Sequence, residues 1–339
     1  MMIPGKVSSW PASAVCLLVL WAGCAPQDKG TVGITSPKKQ GPPVTLALKF
    51  APQDSTTYKV ITERERSVIL EGTLSDDTTL KGGRTGSRVE MTFTQQIQSI
   101  DERGNAVAKI TIEELKYSAK VKDKAIVGFD SSGGKDRRSP LAKLIGQSYT
   151  IRISPDGKVV RVIDVSGAQA AVRGGTPAHK TALVLLKSDA IKERHAISGL
   201  PDAGRNQVHT GDNWSSIKNF NFDLLGSESY ERVYTLKEIE DTDGRRIGLV
   251  EMNAIPSSEM AEQLYKEQTT GAFSKMFDNT KTYTGELKFN LTAAKIESCF
   301  EKMQTEWVVV DPSIKPGDDK KPAVLRMAVI RLYSLERID

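Results

Sequence analysis

The three histidines, His179, His195 and His209, are the first residues to weigh for chemistry. None lies in a His-Glu-x-x-His pattern or at another metal-ligand spacing. His179 and His195 fall sixteen residues apart on one expected helix, too far along its axis to share an ion. There is no Gly-x-Ser-x-Gly turn for a Ser-His-Asp hydrolase. Ser215-Ser216-Ile217-Lys218 satisfies Ser-x-x-Lys but lacks the companion motifs of that enzyme group. Gly133-Gly134-Lys135 resembles the tail of a phosphate loop, yet Asp136 follows where Ser or Thr should stand. Asp241-Thr242-Asp243-Gly244 begins like a calcium loop, but the further acids and the distal Glu are missing, so it reads as a polar turn. The residues nominate no catalytic, cofactor-binding or metal-binding group. An envelope hydrolase with an unrecognised site stays open as a second reading, and it requires His195 or His209 beside an acid and a Ser or Thr.

Cysteine chemistry is more specific. Leu18-Val19-Leu20-Trp21-Ala22-Gly23-Cys24 ends a short apolar run on two small residues and a Cys. It resembles the lipobox of a bacterial lipoprotein precursor. The resemblance implies cleavage after Gly23 and lipid attachment to Cys24. Trp21 departs from it, because the usual Leu lies three residues before the Cys. Lys6 supplies a thin positive start, and residues 12–20 are too few to span a bilayer, so 1–23 reads as a signal peptide. The alternative is an ordinary signal peptide and a secreted soluble product. Cys16 leaves with the leader, Cys24 is acylated, and Cys299 remains as one thiol with no disulfide partner. Its alternating surroundings suggest a buried structural thiol.

Residues 24–43, rich in Gly, Pro, Lys and small polar side chains, read as a disordered tether with a reach of roughly 25 Å. Ala25 after the Cys, by the sorting rule known in some bacteria, sends the protein to the outer membrane. The whole chain carries 47 basic and 42 acidic residues. That small, dispersed excess lacks the basic clusters with interleaved aromatics that nucleic-acid binding requires, so nucleic acid is not an expected partner.

Behind the tether the apolar pattern has period two, as in Val44, Leu46 and Leu48, then Tyr58 and Val60. Strands are predicted at 88–100 and 106–117 around Gly104-Asn105, at 147–153 and 158–165 around Pro155-Asp156-Gly157, and at 233–240 and 245–255 around Gly244. Two more close the chain at 306–310 and 323–335, and residues 74–86 read as a long polar turn. Val107, Ile110 and Ile112 match Ile247, Val250 and Met252 when counted from each turn glycine, which suggests a duplication with a period near 140 residues. One main helix is predicted at 177–197, with Ala182, Leu185, Leu186, Ala190 and Ile191 inward and Lys187, Lys192, Glu193 and Arg194 outward. A second is predicted at 256–268 and a short third at 139–145. Trp214 and Trp307 read as core anchors. The expected fold is therefore mainly β (α+β). Large, curved antiparallel sheets form two related halves, 44–175 and 200–339, joined by the helix in 176–199.

Several phrases are similar to an uncharacterised family of bacterial lipoproteins of unknown function. They are Leu48-Lys49-Phe50-Ala51-Pro52 with Tyr58, the hairpin from Ile100 to Ile112, Ile145-Gly146-Gln147-Ser148-Tyr149 with Ser154-Pro155-Asp156-Gly157, and Leu200-Pro201 with Gly211-Asp212-Asn213-Trp214. The resemblance covers most of 44–290 and implies an exported, lipid-anchored, β-rich domain with no catalytic residues to carry over. The functional expectation is a non-enzymatic envelope protein. It is held to the membrane by the lipid on Cys24 and binds a hydrophobic ligand or an envelope partner, by analogy with helix-covered curved sheets of lipid carriers.

Overall fold

The computed structural model describes residues 40–72, 82–222, 226–242, 244–257, 278–310 and 323–339. Gly23, Cys24 and the tether up to residue 39 lie outside these, as do 258–268 of the second expected helix.

The fold is mainly β: an open, twelve-stranded antiparallel sheet carrying three short helices. Its central pair is β2 (Ser55–Glu71) and β14 (Val324–Arg337), which run side by side from Tyr58↔Arg337 to Glu71↔Val324. From β2 the chain winds outward through β3 (Gly83–Ile100), β4 (Ala106–Val121), β6 (Ser148–Ile153) and the edge strand β7 (Val159–Asp164). The short β5 (Lys124–Asp130) flanks the far half of β4. The chain then crosses to the opposite edge. It returns to the centre through β9 (Asn213–Asn221), β10 (Ser227–Thr242), β11 (Arg245–Pro256), β12 (Asp278–Asn290) and β13 (Lys295–Val310). The two expected halves thus share one sheet. Ile110 and Val250 each lie six residues beyond a turn glycine, Ile112 and Met252 eight beyond, and all four are buried.

One row of directly opposed side chains defines the packed face. Leu115, Met91, Val60, Leu335, Cys299, Leu287, Val250 and Leu236 face one another across β4, β3, β2, β14, β13, β12, β11 and β10. All are buried, as alternation over a covered face requires. The other face carries ion pairs such as Lys59–Glu90 at 2.6 Å and Arg88–Glu63 at 2.7 Å. These are exposed enough to favour solubility more than stability.

Helices lie on the packed face. The single predicted helix is in fact two, α2 (Pro177–Leu185) and α3 (Ser188–His195), preceded by the unexpected α1 (Ser166–Ala171). The break falls at Leu186-Lys187, because Ser188 and Asp189 favour a new helix start over a helix interior. Arg194, expected outward, is 4% exposed, on the face it shares with Ile191. The expected helix at 139–145 is a 3₁₀ turn, Pro140–Leu144. At the front, the tether ends earlier than expected. Gln40–Thr45 forms β1, paired with β8 (Gln207–Thr210), where a two-stranded edge ladder tolerates Pro42 and Pro43. Leu46 and Leu48 lie beyond that strand, buried, with their N–H groups bonded to Asn206 and Pro155 carbonyls.

Residues 196–200 carry the chain across the sheet. The Ile197 N–H bonds the Gly157 carbonyl at 2.9 Å, and a Cβ on Gly157 would lie 2.8 Å from the Ile197 Cβ. Gly157 also has φ of +78°. Gly157→Ala is expected to cost about 1–3 kcal/mol from the left-handed backbone alone, and more from the clash, measured by urea denaturation. A loss below 0.5 kcal/mol, roughly the noise of such a series, would show that this crossing is not held at the turn.

Candidate functional site

The face that carries the helices runs on beyond them. On β2, period two places Thr62, Arg64, Arg66, Val68 and Leu70 on the same side as Val60. Opposite them on β14 stand Tyr333, Arg331, Val329, Met327 and Leu325. These side chains are half-buried or exposed, in contrast to the closed row at Val60.

Between α2, α3 and strands β2 to β4 lies a cavity of about 320 Å³. Its walls are mostly apolar, with Val89, Tyr117, Val184 and Leu185, and they also carry Arg64, Lys180 and Arg194. A second space of about 80 Å³ lies between residues 193–198 and strands β9, β12, β13 and β14. Phe220, Tyr283 and Tyr333 line it with Arg331, Lys218 and Glu301. Thr62, Arg64 and Glu193 belong to both walls. The exposed Arg64–Glu193 ion pair therefore divides the two, and an exposed pair of this kind is worth about 0–1 kcal/mol. These two spaces are separate compartments with a weak partition, not one continuous apolar cavity.

Beneath the small compartment is a buried polar network. Arg232 Nη1 donates to Glu301 Oε1 at 3.2 Å and to Ser198 Oγ at 3.0 Å. The Tyr283 hydroxyl donates to Glu301 Oε2 at 2.7 Å. Burial, reinforced by the Glu301 charge, pushes the Tyr283 hydroxyl well above its ordinary pKa, so it stays a donor. Cys299 is buried, its Sγ donates to the Ser198 carbonyl at 3.6 Å, and burial raises its pKa, as a structural thiol requires. Trp307 is buried edge-to-face against Phe222 at 5.2 Å. Trp214 stacks on Tyr234 at 6.1 Å and its Nε1 donates to the Gly199 carbonyl at 3.2 Å.

The histidines stay apart. His179 sits at the start of α2, its Nδ1 2.7 Å from the Thr176 hydroxyl. His209 on β8 meets Asp212 at 3.3 Å within a turn. His195 ends α3, buried, with Nε2 2.5 Å from the Tyr149 hydroxyl, Phe93 edge-on at 4.6 Å, and Nδ1 unpartnered. Burial and the neighbouring Arg194 charge push its pKa well down, so the ring is neutral. Among the described residues neither His195 nor His209 forms an acid–His–hydroxyl relay. Ser215 and Lys218 lie three apart on β9 and so point to opposite faces. Among the described residues no group of three acid, His or Cys side chains is placed to hold a metal ion, and no helix is long and apolar enough to cross a membrane.

The sheet and its cover define an open, mainly-β scaffold with a helix-roofed, mostly apolar cavity. No known protein family and no curated protein matches the chain. Two solved structures are similar at low scores. One is described as lipid–protein interactions in lipovitellin, with 12% identity and a TM-score of 0.40, over 86% of this chain and 26% of that one. The other is Pseudomonas aeruginosa OpdQ, with 7% identity and a TM-score of 0.16, over 83% and 97%. The chain thus spans about a quarter of the lipovitellin chain. Neither likeness is close enough to support an argument about fold or activity.

Proposed function

We propose that this is a lipid-anchored protein of the bacterial cell envelope that binds a hydrophobic ligand on the helix-covered face of its sheet. The observation that carries the ligand reading is the mostly apolar cavity of about 320 Å³ under α2 and α3. The pocket opens to solvent past Val184, and its size stands at the lower end of small-molecule sites, which begin at about 300 Å³. The anchoring half of the proposal rests on the lipobox-like ending at Gly23-Cys24, and the outer-membrane destination it includes rests on Ala25 after the Cys.

Two measurements test the halves separately. Cys24→Ala is expected to move the protein from the membrane pellet to the soluble fraction and to abolish incorporation of labelled palmitate. Unchanged fractionation and labelling would remove the anchor. Mass spectrometry of lipid extracts from the purified full chain is expected to recover one class of amphiphile above background. Recovery of none would leave the cavity without a natural occupant. Among the described residues no side-chain arrangement favours the hydrolase reading, which required a His, an acid and a hydroxyl together.

A further inference from the structure

The cavity under α2 and α3 holds a charge that the protein itself does not fully neutralise. Arg194 is 4% exposed and lies in the cavity wall. Its Nη2 donates to the Leu185 carbonyl at 3.0 Å and its Nη1 to the Tyr149 hydroxyl at 3.5 Å. Both acceptors are neutral. The adjoining carboxylate, Glu193, points to Arg64. The adjacent His195 is kept neutral. The Leu185 carbonyl ends α2, where the helix dipole supplies about half a negative charge, so part of the guanidinium charge is offset and part is not. Buried cations are ordinarily paired with carboxylates, because desolvation of an unpaired ion costs several kcal/mol.

Around Arg194 the cavity is built like a site for an amphiphile. Val89, Val184, Leu185 and the Tyr117 ring offer apolar wall, Lys180 adds positive charge, and the paired Arg64 and Glu193 add none on balance. At about 320 Å³ the space stands at the lower end of small-molecule sites, which suits one acyl chain and not two.

We infer that the ligand of this cavity is a single-chain anionic amphiphile, a long-chain carboxylate, whose head pairs with Arg194 and whose chain lies against Val89, Val184 and Leu185. This rests on the hydrophobic-ligand reading and sharpens it. Guanidinium meets carboxylate through two parallel hydrogen bonds, so the head would give the buried Arg194 an anionic partner.

The test uses the full-length chain carrying Cys24→Ser, so that no attached acyl group competes, titrated with sodium dodecanoate and with 1-dodecanol by calorimetry. Dodecanoate is expected to bind at least tenfold tighter than dodecanol. Arg194→Gln is expected to erase that preference, bringing the two affinities within about threefold of each other. Val184 is 49% exposed at the cavity wall, so Val184→Trp can fill the space without disturbing the core, and is expected to weaken both ligands at least tenfold. Equal affinity for the two ligands in the Arg194-containing protein would overturn the anionic assignment and leave the hydrophobic site standing. Absence of binding by both would overturn the site as well. Should Arg194→Gln not fold, the ratio of the two ligands with Arg194 in place decides alone.

Discussion

Glu301→Ala is expected to destabilise the protein by about 3–5 kcal/mol, because it strands the Arg232 guanidinium without its counter-ion. The Arg232 and Glu301 side chains are each 10% exposed and 3.2 Å apart. Burial works against the Arg232 charge, but Glu301, Tyr234 and Tyr283 outweigh it, and its pKa is raised on balance. Arg232 already carries one buried donor, Nε, without a partner. Removing the carboxylate would leave Nη1 with only Ser198, and the Tyr283 hydroxyl with no acceptor. The opposite design separates charge from packing. Arg232→Met with Glu301→Leu keeps the volume apolar, and replacing a whole buried pair is often neutral or stabilising. The double variant is therefore expected to be more stable than Glu301→Ala by at least 2 kcal/mol, by urea denaturation followed through tryptophan fluorescence. A single-variant loss under about 1 kcal/mol would mean that water reaches Arg232 and that the network is a surface feature.

The contrast between that network and the hairpins shows what the sequence could reveal. Turns at Gly104, Gly157 and Gly244 were legible because a left-handed glycine flanked by alternating apolar residues is a local signal. The mainly-β class followed from those signals and from the period of two. Arg232 and Glu301 are 69 residues apart, on strands separated by β11 and β12. No local pattern marks either one, since each occupies an inward position where the alternation would place an apolar side chain. The central pairing of β2 with β14 is likewise invisible, because it joins the two ends of the domain. Arg194 was read outward because of its charge, although it stands three and four residues after the inward Ile191 and Ala190 and so shares their face. The chemistry of the candidate site therefore depended on one buried charge and on pairings distant in sequence, while the scaffold depended on local signals.

His195 makes a second large effect measurable, as a loss of stability in acid. In the folded protein its ring is bonded to Tyr149 and edge-on to Phe93, and its burial and the adjacent Arg194 cation disfavour the imidazolium. Asp54, Lys49 and Lys295 line the small space of about 30 Å³ beside it, and Asp54 is already paired with Lys295 at 2.8 Å. In the unfolded chain the ring titrates near its ordinary value of about 6.5. A depressed folded pKa means that the unfolded state binds the proton first. The contribution is therefore fully present above pH 6.5 and is lost as pH falls below it, at up to about 1.4 kcal/mol per pH unit. Carboxylates add their own acid dependence at lower pH, so the informative quantity is a difference. His195→Phe keeps the ring packing and removes the titration. Its stability between pH 6.5 and 4.5 is expected to fall less steeply than that of the unaltered protein, by up to about 2.3 kcal/mol across the interval. At pH 7.5 the variant is expected to be the less stable of the two, because the buried Tyr149 hydroxyl loses the shorter of its two hydrogen bonds and keeps only the one from Arg194. The two curves should therefore converge or cross in acid. Parallel curves would show that His195 takes up its proton in the folded protein, and that the packing of α3 on Phe93 opens at mildly acidic pH.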